Sequence, residues 1–473
     1  MIQDRPDRRV PVACWIAAII LFAFSGGLRA YKLGAWSYSS DEAYTHLEVE
    51  TMDEPQRFDP HLSTIPRVIP LAFHLHRFAI ASFGRSEFGT RLLPAFLGTL
   101  SIPILVVLLW RPLGSTVAIA PGAILAIWPE HLFQSQQHRY YAIAWFFASL
   151  GLAVGFSAAV DGSLRRWLIA CALGWLAVLC HTMCAPIFAI FLMAELAKWP
   201  FDRAKFNWKS VAIIGGNAIG VATYYVLRIR PLVGEFRSNE EWAYDPIRAL
   251  FGAVQMIGWP TFLIAAFGWM LLIHRRDVRS VYWCIAAAVW LSLSAVLPYF
   301  VSFHTAYVFP LALAAIVPAG VAIAEVYAWL RPKSLGLALA AVALALAAPL
   351  PSLLSYAIDG GRYDYRSACQ YVMQRKQPGE TIAGHNKTVL DYYCGESTIS
   401  AYGRLGYEEL AEAAKKPGRI WIIVTESRRP IDDELAAWLP KNAIKVARFR
   451  KPRYDYYEYC VDVYLSEVRR PDR

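Results

Sequence analysis

PRVIPLAFHLHRFAIASFG, residues 66–84, is the stretch on which the topology of this chain turns. It is apolar enough to suggest a membrane span, yet it carries His74, His76 and Arg77 near its middle. Charge at that depth is costly in hydrocarbon. Read instead as an amphipathic helix lying on the membrane surface, it leaves one long loop, 31–90, after the first apolar run. Apolar runs long enough to span then lie near 11–30, 91–110, 115–133, 142–160, 166–181, 183–199, 210–228, 247–273, 281–300, 305–330 and 335–356, about eleven in all. With the N-terminus inside, the inside loops are Arg111, DGSLRR (161–166), FDRAKFNWKS (201–210), HRRDVRS (274–280) and RPKS (331–334), and all are basic. The N-terminal tail, with Arg5, Arg8 and Arg9, agrees. Counting 66–84 as a span would put the same loops outside, against the positive-inside rule.

Composition supports this reading. The chain is 56% hydrophobic with a mean hydropathy of +0.34, values of a polytopic membrane protein rather than a soluble one. The net charge of +10 falls in short clusters between apolar runs, which fits anionic headgroups and argues against nucleic acid as a partner. The start has the look of a signal peptide, but no small-x-small cleavage site follows and further spans come later.

From about Ala357 the composition becomes that of a soluble domain. TIAGH and RIWIIVT predict short buried strands, RSACQYVMQRK and DDELAAWL predict helices, and Tyr454 to Leu465 alternates as a strand does. The expected organisation is a transmembrane domain over 1–356, with the long first loop 31–90, and a small soluble α/β domain over 357–473. An odd number of spans places that domain outside. Cys14, Cys171, Cys180, Cys184 and Cys284 lie in apolar runs as packing residues. Cys369, Cys394 and Cys460 lie in the soluble region, where two of them would form a disulfide if it is extracytoplasmic, with the partner choice open.

Asp41 and Glu42 stand in the first outside loop, in GLRAYKLGAWSYSSDEAYTHLE (27–48). Adjacent acids in an aromatic loop just beyond a span sit where a general base would meet a substrate with a lipid tail; the plain alternative is a solvated pair. No group of His, Asp and Glu has metal-ligand spacing, and there is no GxGxxG, Walker loop or internal repeat.

Several segments together resemble the polytopic glycosyltransferases of the GT-C fold that use lipid-phosphate sugars, of the dolichyl-phosphate-mannose–protein mannosyltransferase and aminoarabinose transferase type. SSDEAYTHLE (39–48) resembles the family's acidic motif in the first periplasmic loop. FGRSEFGTRLLPAFLGTLSIPILVVLL (83–109) resembles its loop-to-second-span signature, SQQHRYYAIAWF (135–146) its Ser-Gln-Glu-Ala-Arg-x-Tyr-like loop, and DYRSACQYVMQRKQPGETIAGHNKTVLDYY (364–393) the start of the periplasmic domain. The similarity is spread over most of the chain, and no single motif is long. Gln137 stands where many members carry Glu, and Ala306 in FHTAYVFP (303–310) where a late element carries Arg.

The resemblance implies a bacterial inner-membrane enzyme with a cytoplasmic N-terminus and a periplasmic C-terminal domain. It would transfer a sugar from a polyprenyl-phosphate donor to a glycan, lipid or protein acceptor, with inversion. A phosphate leaving group needs little acid, so one carboxylate suffices as base. Asp41 takes that role, and Glu42 positions it, holds a sugar hydroxyl or binds a metal. Arg139, with His138 and Tyr141, is expected at the donor phosphate, because a guanidinium fork matches phosphate oxygens. Arg91, Glu130, His304 and Tyr307 are candidates to line the cavity, with headgroup anchoring the alternative for Arg91 and an interfacial belt the alternative for His304 and Tyr307; His181, near the outer end of a span, reads as a hydrogen-bonded turn residue. A divalent cation bridging Asp41 or Glu42 to phosphate fits the chemistry, but lipid-monophosphate users generally work without one, so no cofactor is expected as obligatory. Two rivals are weighed against this. A transporter or flippase explains the spans but calls for intramembrane charge pairs and often a repeat, and the sequence offers neither. An inactive scaffold in polysaccharide assembly accommodates Gln137 and Ala306.

Overall fold

The computed structural model describes residues 10–53, 65–231, 245–299, 304–401, 403–426, 433–451 and 459–468. Arg5, Arg8 and Arg9 of the tail, Phe303 of FHTAYVFP, and residues 454–458 of the expected last strand lie outside them. The chain divides into two compact units. The first comprises Met1–Tyr31, Thr51–Arg85 and Gly89–Leu353; the second comprises Lys32–Glu50, Ser86–Phe88 and Leu354–Arg473. Lys32–Glu50, which carries the acidic motif, therefore clusters with the C-terminal residues.

The first unit is helical and is that of a multi-pass membrane protein. Among the described residues, seven helices are long and apolar enough to cross a membrane, or up to ten spans if each of three bent helix pairs counts as one. Leu164–Cys180, with 17 residues, is about 25 Å long at the α-helical rise. With it, every span expected from the sequence has a helical counterpart. The three bends have a shared cause. Ser115–Ile127 and Pro129–Ser135 meet at 62°, Pro246–Ile257 and Trp259–Arg275 at 96°, and Leu335–Ala347 and Leu350–Ile358 at 41°. Each break carries a proline at or beside it (Pro129, Pro260, Pro349), which has no N–H for the preceding turn and clashes with its carbonyls. At the sharpest bend Gly258 also has φ +88°, a conformation a side chain disfavours.

A break at membrane depth frees carbonyls that no water can satisfy, so side chains must. The Trp128 indole donates to Met256 O at 2.8 Å, at the end of Pro246–Ile257. Gln136 Nε2 donates to Arg29 O at 2.8 Å and Tyr31 O at 2.9 Å, capping the end of Val12–Ala30. Trp269, Trp290 and Tyr282 also donate to backbone carbonyls, those of Ala314, Val308 and Leu152, the last inside the unbroken helix Tyr141–Asp161.

The segment 66–84 forms two short helices, Ile65–Val68 and Pro70–Phe83. The longer has 14 residues, about 21 Å against a hydrocarbon core of about 30 Å, and it is not among the candidate spans. It is two-faced as expected. Ala72, Phe73, His76 and Ala79 are buried, while His74 is exposed and Arg77 pairs with Asp53 at 2.6 Å.

The second unit holds a five-stranded sheet in the order β2-β1-β3-β5-β4. The strands are β1 (Thr381–Gly384), β2 (Ile399–Ser400), β3 (Gly418–Glu426), β4 (Ile444–Lys451) and β5 (Tyr459–Val468). β1 pairs in parallel with β2 and β3, and β5 runs antiparallel to β3 and β4. β3 reads as an unbroken apolar run, IWIIV, because both faces of a central strand are covered. Trp421 and Ile423 pack with the helices Tyr365–Met373 and Lys387–Cys394; Ile420, Ile422 and Val424 pack with Leu410, Leu435 and Leu439 of the helices Gly403–Ala413 and Asp433–Asn442. The strands and helices expected at TIAGH, RIWIIVT, RSACQYVMQRK and DDELAAWL are therefore present. β4, Lys387–Cys394 and Gly403–Ala413 were not anticipated.

Asp462 on β5 is fully buried, answered by Lys445 Nζ at 2.6 Å and by Arg448 Nε at 2.7 Å and Nη2 at 2.9 Å. Burial pushes its carboxyl up, but the hydrogen bonds and charges of Arg448 and Lys445 outweigh this and hold it below the ordinary aspartate value. A folded value below the unfolded one of about 3.9 contributes stability that is fully present above that pH and is lost as pH falls through the folded value. Acid unfolding of the full-length protein, followed by circular dichroism, is expected to show a stability decline below about pH 4 that flattens in Asp462→Asn. Identical pH profiles would contradict this role.

Candidate active site

The acidic motif lies in the second unit. Asp41 and Glu42 occupy the first turn of the helix Ser40–Glu50, where the exposed N–H groups favour carboxylates. Ser39 and Glu42 form a reciprocal cap: Glu42 N–H donates to Ser39 Oγ at 3.3 Å, and Ser39 N–H donates to Glu42 Oε2 at 3.1 Å. This is the capping box spelled by Ser39-Ser40-Asp41-Glu42. Glu42 is fully buried, and its Oε2 lies 3.2 Å from Nε of the equally buried Arg362. Asp41, one residue earlier on the helix, is exposed. The two acids thus have different surroundings: one is sequestered as cap and ion-pair partner, and the other is presented to solvent at the helix start.

Arg362 follows a Gly360-Gly361 turn whose φ values are +66° and +61°. A Cβ at Gly360 would collide with the Trp36 indole, so the turn needs glycine twice over. The loop before the acidic helix is tied down as well. Arg366 donates to Gly34 O at 3.3 Å and Trp36 O at 3.4 Å and pairs with Glu87. Tyr393 Oη accepts from Tyr38 N–H at 2.6 Å and donates to Glu87 at 2.8 Å. Burial, with the Glu87 charge beside it, pushes the Tyr393 phenol up. Tyr38 and His46 also pack on Tyr392, at ring separations of 5.0 and 5.2 Å. None of the fastening residues at 362, 366 and 393 was picked out from the sequence. Nothing local to an Arg in a polar segment tells which distant carboxylate it meets. The capping box was the readable signal.

The residues expected at the donor phosphate lie in the first unit. Arg139 donates to Tyr140 Oη at 2.9 Å, and its guanidinium lies 4.5 Å from the Tyr140 ring centre and 5.8 Å from that of Tyr141. Both tyrosines contact His181, at 5.3 and 5.1 Å, and His181 contacts Tyr307 at 5.9 Å, which in turn meets His304 at 6.2 Å. The structure therefore gathers Arg139, Tyr141, Tyr307 and His304 around His181, a residue the sequence marked only as a turn histidine. His181 and His304 use the same device. Each accepts at Nδ1 from the backbone N–H two residues on, Met183 at 3.1 Å and Ala306 at 3.2 Å. That fixes each ring as the Nε2–H tautomer, a donor on its outer edge.

His138 is apart from this group. It is fully buried, with Nδ1 3.3 Å from Thr90 O and its ring edge-on to His76 at 4.4 Å. Arg91, beside Thr90, is also fully buried. Glu130 accepts from Gln134 Nε2 at 2.7 Å. The next residue of the same short helix, His131, accepts from Arg29 at Nδ1 at 2.6 Å, a buried pair not anticipated from the sequence. Gln137 and Ala306, the two departures noted above, are both buried.

The sequence matches no family model and no curated protein. Its fold matches solved structures along nearly its whole length. ArnT from Cupriavidus metallidurans bound to undecaprenyl phosphate superimposes with a TM-score of 0.60 at 13% identity, over 96% of this chain and 98% of that one. The apo state of the same protein gives a TM-score of 0.60 at 13% identity, over 95% and 98%. The apo oligosaccharyltransferase of Archaeoglobus fulgidus gives 0.58 at 14% identity, over 87% of this chain and 69% of that one. The chain therefore has the GT-C fold of these membrane glycosyltransferases.

Removing Arg362 takes away the cationic partner of the buried Glu42 carboxylate, and breaking a buried ion pair typically costs about 3–5 kcal/mol. Arg362→Ala is expected to lower the melting temperature of the purified full-length protein by a margin of that size, with Arg362→Lys in between. An unchanged melting temperature would show that the pair holds nothing in place.

Proposed function

We propose that this protein is an inverting glycosyltransferase that takes a sugar from a polyprenyl phosphate and passes it to a glycan, lipid or protein acceptor. The observation that carries the reading is the end-to-end likeness in fold to ArnT, a protein solved with undecaprenyl phosphate bound. The reading places the enzyme in a bacterial inner membrane, with its N-terminus in the cytoplasm and the second unit on the periplasmic side. The basic loops on the opposite side support that orientation.

In this mechanism the acceptor hydroxyl oxygen attacks the anomeric carbon from the face opposite the phosphate. The bond from that carbon to the phosphate oxygen breaks, and polyprenyl phosphate leaves with the bonding pair. Asp41 takes the hydroxyl proton. It suits the task because it is exposed, while Glu42 is committed to Ser39 and Arg362. Glu42 is then a positioning residue. Arg139 answers the charge that grows on the leaving phosphate, and Tyr141, Tyr307 and His304 line its surroundings with His181. His138 holds the base of the loop through Thr90 O, and Glu130 steadies the bent helix through Gln134.

Asp41→Asn is expected to lower release of polyprenyl phosphate by about 10²–10⁴-fold while leaving donor affinity and melting temperature near those of the wild type. Glu42→Gln is expected to lower turnover and melting temperature together. Turnover within a few-fold of wild type in Asp41→Asn would remove Asp41 as the base. Arg139→Ala is expected to weaken donor binding, with Arg139→Lys restoring only part of it, because a point charge replaces a planar fork. Binding of the donor that is indifferent to Arg139→Ala would exclude it from the phosphate site.

A further inference from the structure

Three cysteines of the second unit are buried, Cys369 at 0%, Cys394 at 5% and Cys460 at 3% exposure. The fold discriminates among them. Cys369 lies on the helix Tyr365–Met373 and Cys394 ends the helix Lys387–Cys394, and both pack into the same core with Val372, Val389 and Leu390. The two helices pack against each other, so the two thiols share one buried core. Cys460 is on β5, next to Val461, and Val461 and Val463 face that same core. Strand alternation therefore turns Cys460 to the other side of the sheet, away from the pair.

We infer that Cys369 and Cys394 are joined by a disulfide, formed as the second unit folds, which links its first two sheet-covering helices. The inference rests on the periplasmic placement proposed above, because such bonds persist in oxidising compartments. The chemistry is exchange with the disulfide of a thiol–disulfide oxidoreductase. Two thiol S–H bonds and the oxidant's S–S bond break, and the Cys369–Cys394 S–S bond forms. Two electrons pass to the oxidant, which with two protons leaves as a dithiol. Burial of both thiols sets the timing. Exchange needs a reachable thiolate, and in the folded unit both thiols are closed off from any oxidant. The bond must then form before the two helices dock.

The test uses the full-length protein made in a bacterial host, quenched in acid, alkylated under denaturing conditions and mapped as non-reduced peptides. A linked Cys369–Cys394 peptide that persists in Cys460→Ser and disappears in Cys369→Ser supports the assignment. A link from either residue to Cys460 overturns it. A second reporter separates the bond from the compartment: Glu409→Cys, at an exposed position on Gly403–Ala413, is probed in spheroplasts with a membrane-impermeant maleimide. Free thiols at 369 and 394 in a protein whose reporter is labelled overturn the disulfide alone. Free thiols with the reporter shielded overturn the periplasmic placement, and the disulfide with it.

Discussion

A carboxylate with no access to water must be answered by a positive charge, and the Glu42–Arg362 pair meets that demand at the start of the acidic helix. Much follows from it in the second unit. Glu42 also closes the capping box with Ser39, so the helix start, the loop before it and the Gly360-Gly361 turn are fixed by one buried group. Arg366, Glu87 and Tyr393 extend the same fastening to the backbone from Gly34 to Tyr38. Asp41 is left at a defined place with its carboxylate exposed. The adjacent acids of the motif thus differ in setting: Glu42 is buried and paired with Arg362, while Asp41 stands at an exposed position.

The membrane unit solves a related problem with neutral groups. Prolines bend three spans, and each bend strips backbone carbonyls of their partners. Trp128 returns a donor to a carbonyl at the sharpest bend, Gln136 caps the end of Val12–Ala30, and Trp269, Trp290 and Tyr282 donate to backbone carbonyls elsewhere. The large number of Trp in this chain, 17, is partly explained by this use of the indole N–H inside apolar packing, beyond any interfacial belt. His181 and His304 do the converse on 3-10 turns: each accepts at Nδ1 from a backbone N–H, which leaves Nε2 as the ring's donor.

The spans were legible because hydrocarbon demands long apolar runs; 66–84, read as too charged to span, holds a 14-residue helix that is short for a crossing. The strand RIWIIVT was legible because burial on both faces needs a continuous apolar run. β4 was not: IKVARFRK is an edge strand whose charges read as surface. Asp41 and Arg139 stood out through short motifs. Arg362 did not, because its partner lies far away in sequence and no local pattern encodes that pairing. His181 was underrated for the same reason, since its neighbours Tyr140, Tyr141 and Tyr307 come from two separate segments. The capping box Ser39–Glu42 was spelled out in the sequence, and reading it would have separated Glu42 from Asp41 in advance.

The most direct measurement of the central claim is turnover itself. Purified wild-type protein would be given a panel of radiolabelled polyprenyl-phosphate sugars, with membrane extract as the source of acceptor, and release of polyprenyl phosphate would be followed with the anomeric configuration of the product. The account predicts release from at least one donor, with the anomeric centre inverted. Absence of release from every donor in the presence of acceptor, or a product that retains the donor's configuration, would contradict it.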